Sequence, residues 1–147
     1  GYIAAKQAFL ILIFTLVLNY SLDYIIQLLH LTFDDSSNGA VFASSNILEL
    51  LGNLLIAGLL TATFEEILYR GYMYGNLKSV TSKISAGIIT STVFGIMHFD
   101  FAYLPLLLVF SLLLCYLREK SQSIIPGIVV HTLYNSFIVS ITYLKLF

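Results

Sequence analysis

An all-α polytopic transmembrane bundle of about five spans is what this 147-residue chain predicts, on three observations. It is 59% apolar and only 10% charged, and its mean hydropathy is +0.92, well outside the range of a soluble domain. Its apolar residues fall into runs of membrane-crossing length, each crossing needing about 20 residues. The polar residues gather in a few short connections between those runs. At this size the chain forms one membrane domain, residues 1–147, with no room for a separate soluble unit.

The first helix is expected at Ile3 to Leu31. Lys6 before the run Ala8 to Leu18 resembles a signal peptide, but no small-residue cleavage site follows, so an anchoring helix is predicted. The lack of an initiator methionine at Gly1 predicts a trimmed or partial chain. The connection Thr32 to Asn46 carries Asp34, Asp35, Asn38, Gly39 and several serines. A second helix is expected from Ile47 to Arg70 or beyond, with Gly71 and Gly75 as candidate terminators. A third follows at Ile84 to Phe99, with Gly87, Ser91 and Gly95 forming a stripe of small residues that lets a neighbouring backbone approach. The fourth and fifth are expected at Tyr103 to Leu117 and Ile124 to Leu144. Pro105 and Pro126 fall in their first turns, where a missing N–H leaves nothing unpaired.

Lys78, Lys83, Arg118 and Lys120 occupy the second and fourth connections, whereas the Asp34/Asp35 loop and the Asp100 turn hold no lysine or arginine. With five alternating spans both basic loops lie on one side, which the positive-inside rule makes cytoplasmic, together with Lys6 and the N-terminus; Lys145 is the exception. Absence of tryptophan and abundance of Ile, Leu, Phe and Tyr fit the cell membrane of an AT-rich bacterium. A net charge of −1 and no long basic run predict no nucleic-acid partner. Cys115, alone and in an apolar run, reads as a buried inert thiol.

Glu65, Glu66 and Arg70 stand inside the second apolar run. A charge at the centre of a bilayer costs about 2.5–3.5 kcal/mol on the insertion scale, so such residues face a cavity, a partner or a reaction. Residues four apart share a helix face, which pairs Glu66 with Arg70, Phe94 with His98, and His131 with Asn135. Glu65 is rotated about 100° from Glu66. The two carboxylates are therefore expected to serve different partners, with Glu66 neutralised by Arg70 and Glu65 left over. At 1.5 Å per residue, Glu65 lies roughly 20 Å from Lys78, His98 roughly 22 Å from Lys83, and His131 roughly 12 Å from Ser123. Three helices thus bring polar groups to overlapping depths.

Hydrolysis is the chemistry such a group supports. A carboxylate held away from water has its charged form destabilised and becomes a usable general base. Two imidazoles and an amide could orient a water and stabilise a tetrahedral oxyanion. Glu65, His98 and His131 are equally a candidate zinc ligand set with one position left for water. Spacing does not choose between these routes, and neither the zinc signature His-Glu-x-x-His nor a serine-nucleophile motif occurs. Either histidine taken alone reads as well as a hydrogen-bond donor between helices. Asn135 alone reads as interhelical glue, and Asn19, Asp23, Glu49 and Asn53 as solvated groups near the outer interface. Tyr69, Tyr72 and Tyr74 read as packing or interfacial anchors. Two further classes compete with the enzyme: a non-catalytic membrane binding or immunity protein, and a proton-coupled carrier, the latter disfavoured by the lack of an internal repeat.

In order along successive membrane segments, Glu65-Glu66-x-x-x-Arg70, Phe94-x-x-x-His98 and His131-x-x-x-Asn135 resemble the three motifs of the CAAX protease and bacteriocin-processing family, also called Abi or CPBP. The resemblance covers about Ala57 to Ser140 and leaves the first helix outside. It implies an intramembrane endopeptidase in which Glu65 activates water with help from His98, His131 and Asn135 stabilise the oxyanion, and Glu66 and Arg70 hold the site together. It implies a hydrophobic or lipid-anchored peptide substrate, as in CAAX processing, peptide maturation or bacteriocin self-immunity. A zinc-dependent and a metal-independent glutamate mechanism stand side by side. Family members usually carry more helices than five.

Overall fold

A computed structural model describes residues 2–31 and 44–145. Five helical rods make up the described chain: α1 (Tyr2–Leu28), α2 (Ile47–Val80), α3 (Lys83–Met97), α4 (Leu104–Ser121) and α5 (Ile125–Lys145). The described residues contain no strand. Within α1, α2 and α5, Ala4–Leu28, Ile47–Val80 and Ile125–Leu144 are long and apolar enough to cross a membrane; α3 is apolar but shorter, and α4 ends on Arg118, Glu119 and Lys120. The expected all-helical bundle is therefore present. The Asp34/Asp35 connection lies outside the described residues.

Helix limits follow local chemistry. At α2 the Asn46 side chain accepts from the Glu49 backbone N–H, and Glu49 accepts in return from the N–H and hydroxyl of Ser45, satisfying donors that the first turn leaves open. Ser82 caps α3 by accepting from the Ser85 N–H. Pro105 lies in the first turn of α4. That helix stops at Gln122, whose φ of 54° is left-handed. Gly71 and Gly75 do not end α2, which runs on to Val80. They are tolerated because helix packing, rather than propensity, holds the rod together.

Two stretches of α2, Leu54–Thr61 and Glu66–Met73, are π-helical, with the single α-turn Ala62–Glu65 between them. Such wide turns are rare and concentrate at functional sites. α5 lies against the first half of α2 at very close range: a Cβ on Gly58 would meet the Ser136 hydroxyl at 2.6 Å. α1 covers α4 and α5. The small-residue stripe of α3 faces α4 and takes up its leucine side chains rather than its backbone: a Cβ on Gly95 would sit 2.8 Å from Leu104 Cδ1.

The interior is built from Ile11, Tyr69, Phe94, Phe110, Leu114, Leu117 and Val130, and Cys115 is buried beside it. Outward, large apolar side chains are exposed along every rod, among them Leu48, Phe64, Val80, Ile84 and Leu144. A continuous apolar coat of this extent fits lipid as its solvent. At one end of the bundle Glu119 gathers Lys83 (3.1 Å), Lys78 (3.4 Å) and the Tyr74 hydroxyl (2.9 Å), so the two basic connections meet at the same end.

Candidate active site

Arg70, fully buried, donates from Nη1 to Glu66 Oε1 at 2.7 Å and from Nη2 to the hydroxyl of Ser111 at 2.7 Å and its carbonyl at 3.3 Å. Its guanidinium carbon lies 4.6 Å from the centre of the Phe94 ring, a cation–π contact in a place without water. Glu66, equally buried, uses the same Oε1 to meet His131 Nδ1 at 3.0 Å. The other face of the imidazole presents Nε2 to Glu65 Oε2 at 3.5 Å. Glu65 is the more accessible carboxylate, its side chain 24% exposed against 0% for Glu66 and 3% for His131.

This arrangement corrects one sequence expectation. The two adjacent carboxylates do share a partner. An imidazole has two nitrogens pointing in different directions, so it can bridge side chains that diverge around a helix. The π-turn starting at Glu66 adds to this, because a wider turn reduces the angle between neighbouring side chains. The Glu66–Arg70 pair forms as expected, and Glu65 is not left over.

Room for the Glu66 carboxylate comes from Gly127 on α5, four residues before His131; a Cβ there would approach Glu66 Oε2 to 2.8 Å. Phe110 meets the His131 ring edge-on at 5.2 Å between centres, and Phe94 meets it at 6.0 Å, so the ring is held by its walls as well as its nitrogens.

His98 lies at the C-terminal cap of α3 with Nδ1 2.7 Å from the Phe94 carbonyl oxygen, its ring 4.4 Å from that of Phe94. Asn135 donates to the Ala57 carbonyl at 3.1 Å, tying α5 to the π-helical part of α2. Glu65, His98, His131 and Asn135 all line one cavity of about 480 Å³, while Glu66 and Arg70 stand behind its wall. The candidate zinc ligands Glu65, His98 and His131 share the cavity but do not close on a common point. Among the described residues no three His, Cys, Asp or Glu side chains are placed to hold a metal ion. The reason is local: His98 is turned onto its own helix and His131 is taken up by the two carboxylates.

The cavity also has a polar lining that the sequence reading assigned to the outer interface. Tyr134, one turn beyond His131, donates its hydroxyl to Asn19 Oδ1 at 2.6 Å. Asn19 donates to Asp23 Oδ2 at 3.0 Å, and the Tyr103 hydroxyl donates to Asp23 Oδ1. An Asn and an Asp four residues apart in an otherwise apolar helix was the signal available for this network. Its partners, 80 and 115 residues away in sequence, had none.

A helical membrane bundle with a buried glutamate hydrogen-bonded to an imidazole, and a second glutamate 3.5 Å from the same ring at the edge of a cavity, has the groups that hydrolysis within a membrane requires. The family described as "Type II CAAX prenyl endopeptidase Rce1-like" matches residues 47–137, and the chain belongs to it. The UPF0177 protein YxdF of Lactococcus lactis is 28% identical over 128 residues, covering 86% of this chain and 71% of YxdF. "Putative membrane peptidase YdiL" of Bacillus subtilis is 29% identical over 86 residues, covering 58% of this chain and 35% of YdiL. No solved structure matches the chain. All six residues of the glutamate–arginine, histidine and histidine–asparagine motifs lie inside the matched stretch; α1, with Asn19 and Asp23, lies outside it.

Proposed function

We propose that the chain is an intramembrane endopeptidase that cleaves a small hydrophobic or lipid-anchored peptide with a water activated by Glu65. The observation that carries this reading is the linked series Arg70–Glu66–His131–Glu65, sealed at one end and open to the cavity at the other. Glu66, held by Arg70, accepts from Nδ1–H of His131 and so leaves Nε2 as the nitrogen that exchanges protons with Glu65. Glu65 takes a proton from water as the oxygen adds to the peptide carbonyl. That proton passes by way of Glu65 and His131 Nε2 to the leaving nitrogen, the C–N bond breaks, and a carboxylic acid and an amine result, the acid then giving its proton to the amine. A separation of 3.5 Å suits this role, since catalytic hydrogen bonds are commonly long before substrate closes the site.

Asn135 and His98 line the same cavity and are the donors available to the oxyanion. This assignment exchanges two roles implied by the family resemblance, giving His131 rather than His98 the place beside Glu65. Since Glu65, His98 and His131 do not converge, no step is routed through a metal. The end of the bundle bearing Lys78, Lys83, Arg118 and Lys120 is assigned to the cytoplasm of a bacterial cell membrane, on the positive-inside rule, which also puts the N-terminus there.

Turnover of apolar peptides by the detergent-solubilised chain tests the proposal, with and without a strong chelator and beside Glu65→Gln. Cleavage by the wild type in both conditions and none by a folded Glu65→Gln is the expected result. Retained turnover in Glu65→Gln overturns the role of Glu65, and loss of turnover on chelation brings a metal route in its place.

A further inference from the structure

The catalytic group occupies one part of the cavity wall; the rest carries a charge that the chemistry above does not use. Asp23 lines the cavity, and its two carboxylate oxygens are oriented by neutral donors, the Asn19 amide and the Tyr103 phenol. Among the described residues no ion pair reaches it. In sequence no lysine or arginine occurs between residues 7 and 69; Lys145, three residues beyond Thr142 of the cavity wall, has a side chain outside the described residues. Around the cavity stand Asp23, Glu65 and Asp100, two histidines and neutral side chains, with no lysine or arginine. Arg70, the buried cation near the site among the described residues, is shut off behind Phe94 and consumed by Glu66 and Ser111.

Resting on the peptidase reading above, we propose that the cavity selects peptides bearing a positive charge a few residues from the cleaved bond, with Asp23 as the counter-ion, and disfavours those bearing a carboxylate there. The spacing follows from the helices. Tyr134 is one turn from His131, its hydroxyl reaches Asn19, and Asp23 is one turn beyond Asn19, which puts Asp23 on the order of 10 Å from the catalytic imidazole. An extended peptide advances about 3.3 Å per residue, so the charge falls about three residues from the scissile bond. A carboxylate pre-oriented by two hydrogen bonds receives a cation with little reorganisation, whereas a second carboxylate meets like charge in surroundings of low dielectric. The cation is either a lysine or arginine side chain or a free terminal amine; the recognition chemistry is the same.

The test uses the full chain in detergent and one cleavable apolar peptide, varied so that lysine, norleucine or glutamate occupies each of four positions on either side of the bond. A matched pair with free or acetylated N-terminus separates the two sources of charge. At one position, lysine is expected to exceed glutamate in kcat/KM by about 10- to 100-fold, the range of a hydrogen bond to a charged group. Asp23→Asn, which keeps the shape and one acceptor oxygen for the Asn19 amide while its NH2 can donate to the Tyr103 oxygen, removes the charge and should reduce that ratio below about threefold, and Asp23→Lys should invert it. Absence of any position with a lysine preference in the wild type overturns the proposal, as does a ratio unchanged in Asp23→Asn.

Binding of the same fluorescent peptides to Glu65→Gln, read by anisotropy, separates this inference from the peptidase reading. An Asp23-dependent lysine preference in binding without turnover by any form leaves the charge assignment standing and removes the reaction. Equal binding of lysine and glutamate peptides removes the charge assignment.

Discussion

Replacing Glu66 by glutamine tests the site at the point where stability and chemistry coincide. Arg70 and Glu66 are both fully buried, 2.7 Å apart, and with a neutral amide at 66 the Arg70 charge is left facing only neutral partners, Ser111 and the Phe94 and Tyr69 rings among them. Leaving one member of a buried pair without its counter-charge costs about 3–5 kcal/mol. For a chain of this size that corresponds to a fall in Tm of roughly 10 °C. Arg70→Met should cost a similar amount, because it strands Glu66 instead.

The double variant Glu66→Gln/Arg70→Met removes both charges and should therefore be less destabilised than the sum of the singles by about 2 kcal/mol or more. Activity should behave differently. In both variants carrying Glu66→Gln, His131 faces a neutral amide that can present either its oxygen or its NH2 in place of the carboxylate, so Nδ1 is no longer fixed by a charged acceptor; turnover should fall about 10²- to 10⁴-fold and remain low in the stabilised double variant. Thermal unfolding in detergent and peptide turnover, measured on the same samples, supply both readings. Additive stability losses in the double variant would refute the buried-pair argument, and recovered turnover would refute the role of Glu66 in orienting the imidazole.

Two other variants probe what the close packing and the charged end contribute. Gly127→Ala places a Cβ 2.8 Å from Glu66 Oε2, so the carboxylate must shift; turnover is expected to drop at least about tenfold, more in Gly127→Val, with unfolding measurements separating this from loss of fold. At the other end, burial alone would raise the Glu119 carboxyl, but hydrogen bonds from Gln122, Tyr74 and Lys83, with Lys78 nearby, outweigh it and hold the group down at about 2 against a usual 4.5. A depressed folded-state value stabilises the protein above the usual value and is lost on acidification, so stability should decline as pH falls from 4.5 toward 2, and Glu119→Gln should flatten that decline in pH-dependent unfolding.

What the sequence disclosed was whatever helical periodicity can encode. Glu66 with Arg70 and His131 with Asn135 are one turn apart, and the small stripe Gly87, Ser91 and Gly95 lies on one face; each could be placed before any coordinates. The contacts that organise the site cross between helices, and no local period carries them. Glu66 reaches His131 across 65 residues, Arg70 reaches Ser111 across 41, and Tyr134 reaches Asn19 across 115. For a related reason distance along the helix could suggest an outward position for Asn19 and Asp23 but not their network with Tyr103 and Tyr134 in the cavity wall. The π-helical turns of α2 were invisible too, since their residues, Leu, Ile, Ala and Gly in the first stretch, carry no distinguishing composition.

Those turns give α2 a property that a uniform α-helix lacks. It is five short segments, α and π in alternation, set in different rotational phase. The segment that meets Ser136 and Asn135 of α5, the turn that carries Glu65, and the segment that reaches Glu119 through Tyr74 are each aimed separately. A π-turn holds one residue more than an α-turn, so Leu54–Thr61 can absorb a one-residue loss by tightening, whereas a loss from the α-turn Ala62–Glu65 would turn everything before it by about 100° relative to Glu66. Deletions in this helix therefore act according to the turn they fall in. A loss from the π-turn is taken up locally and leaves the catalytic carboxylates where they stand, whereas one from the α-turn redirects the cavity wall.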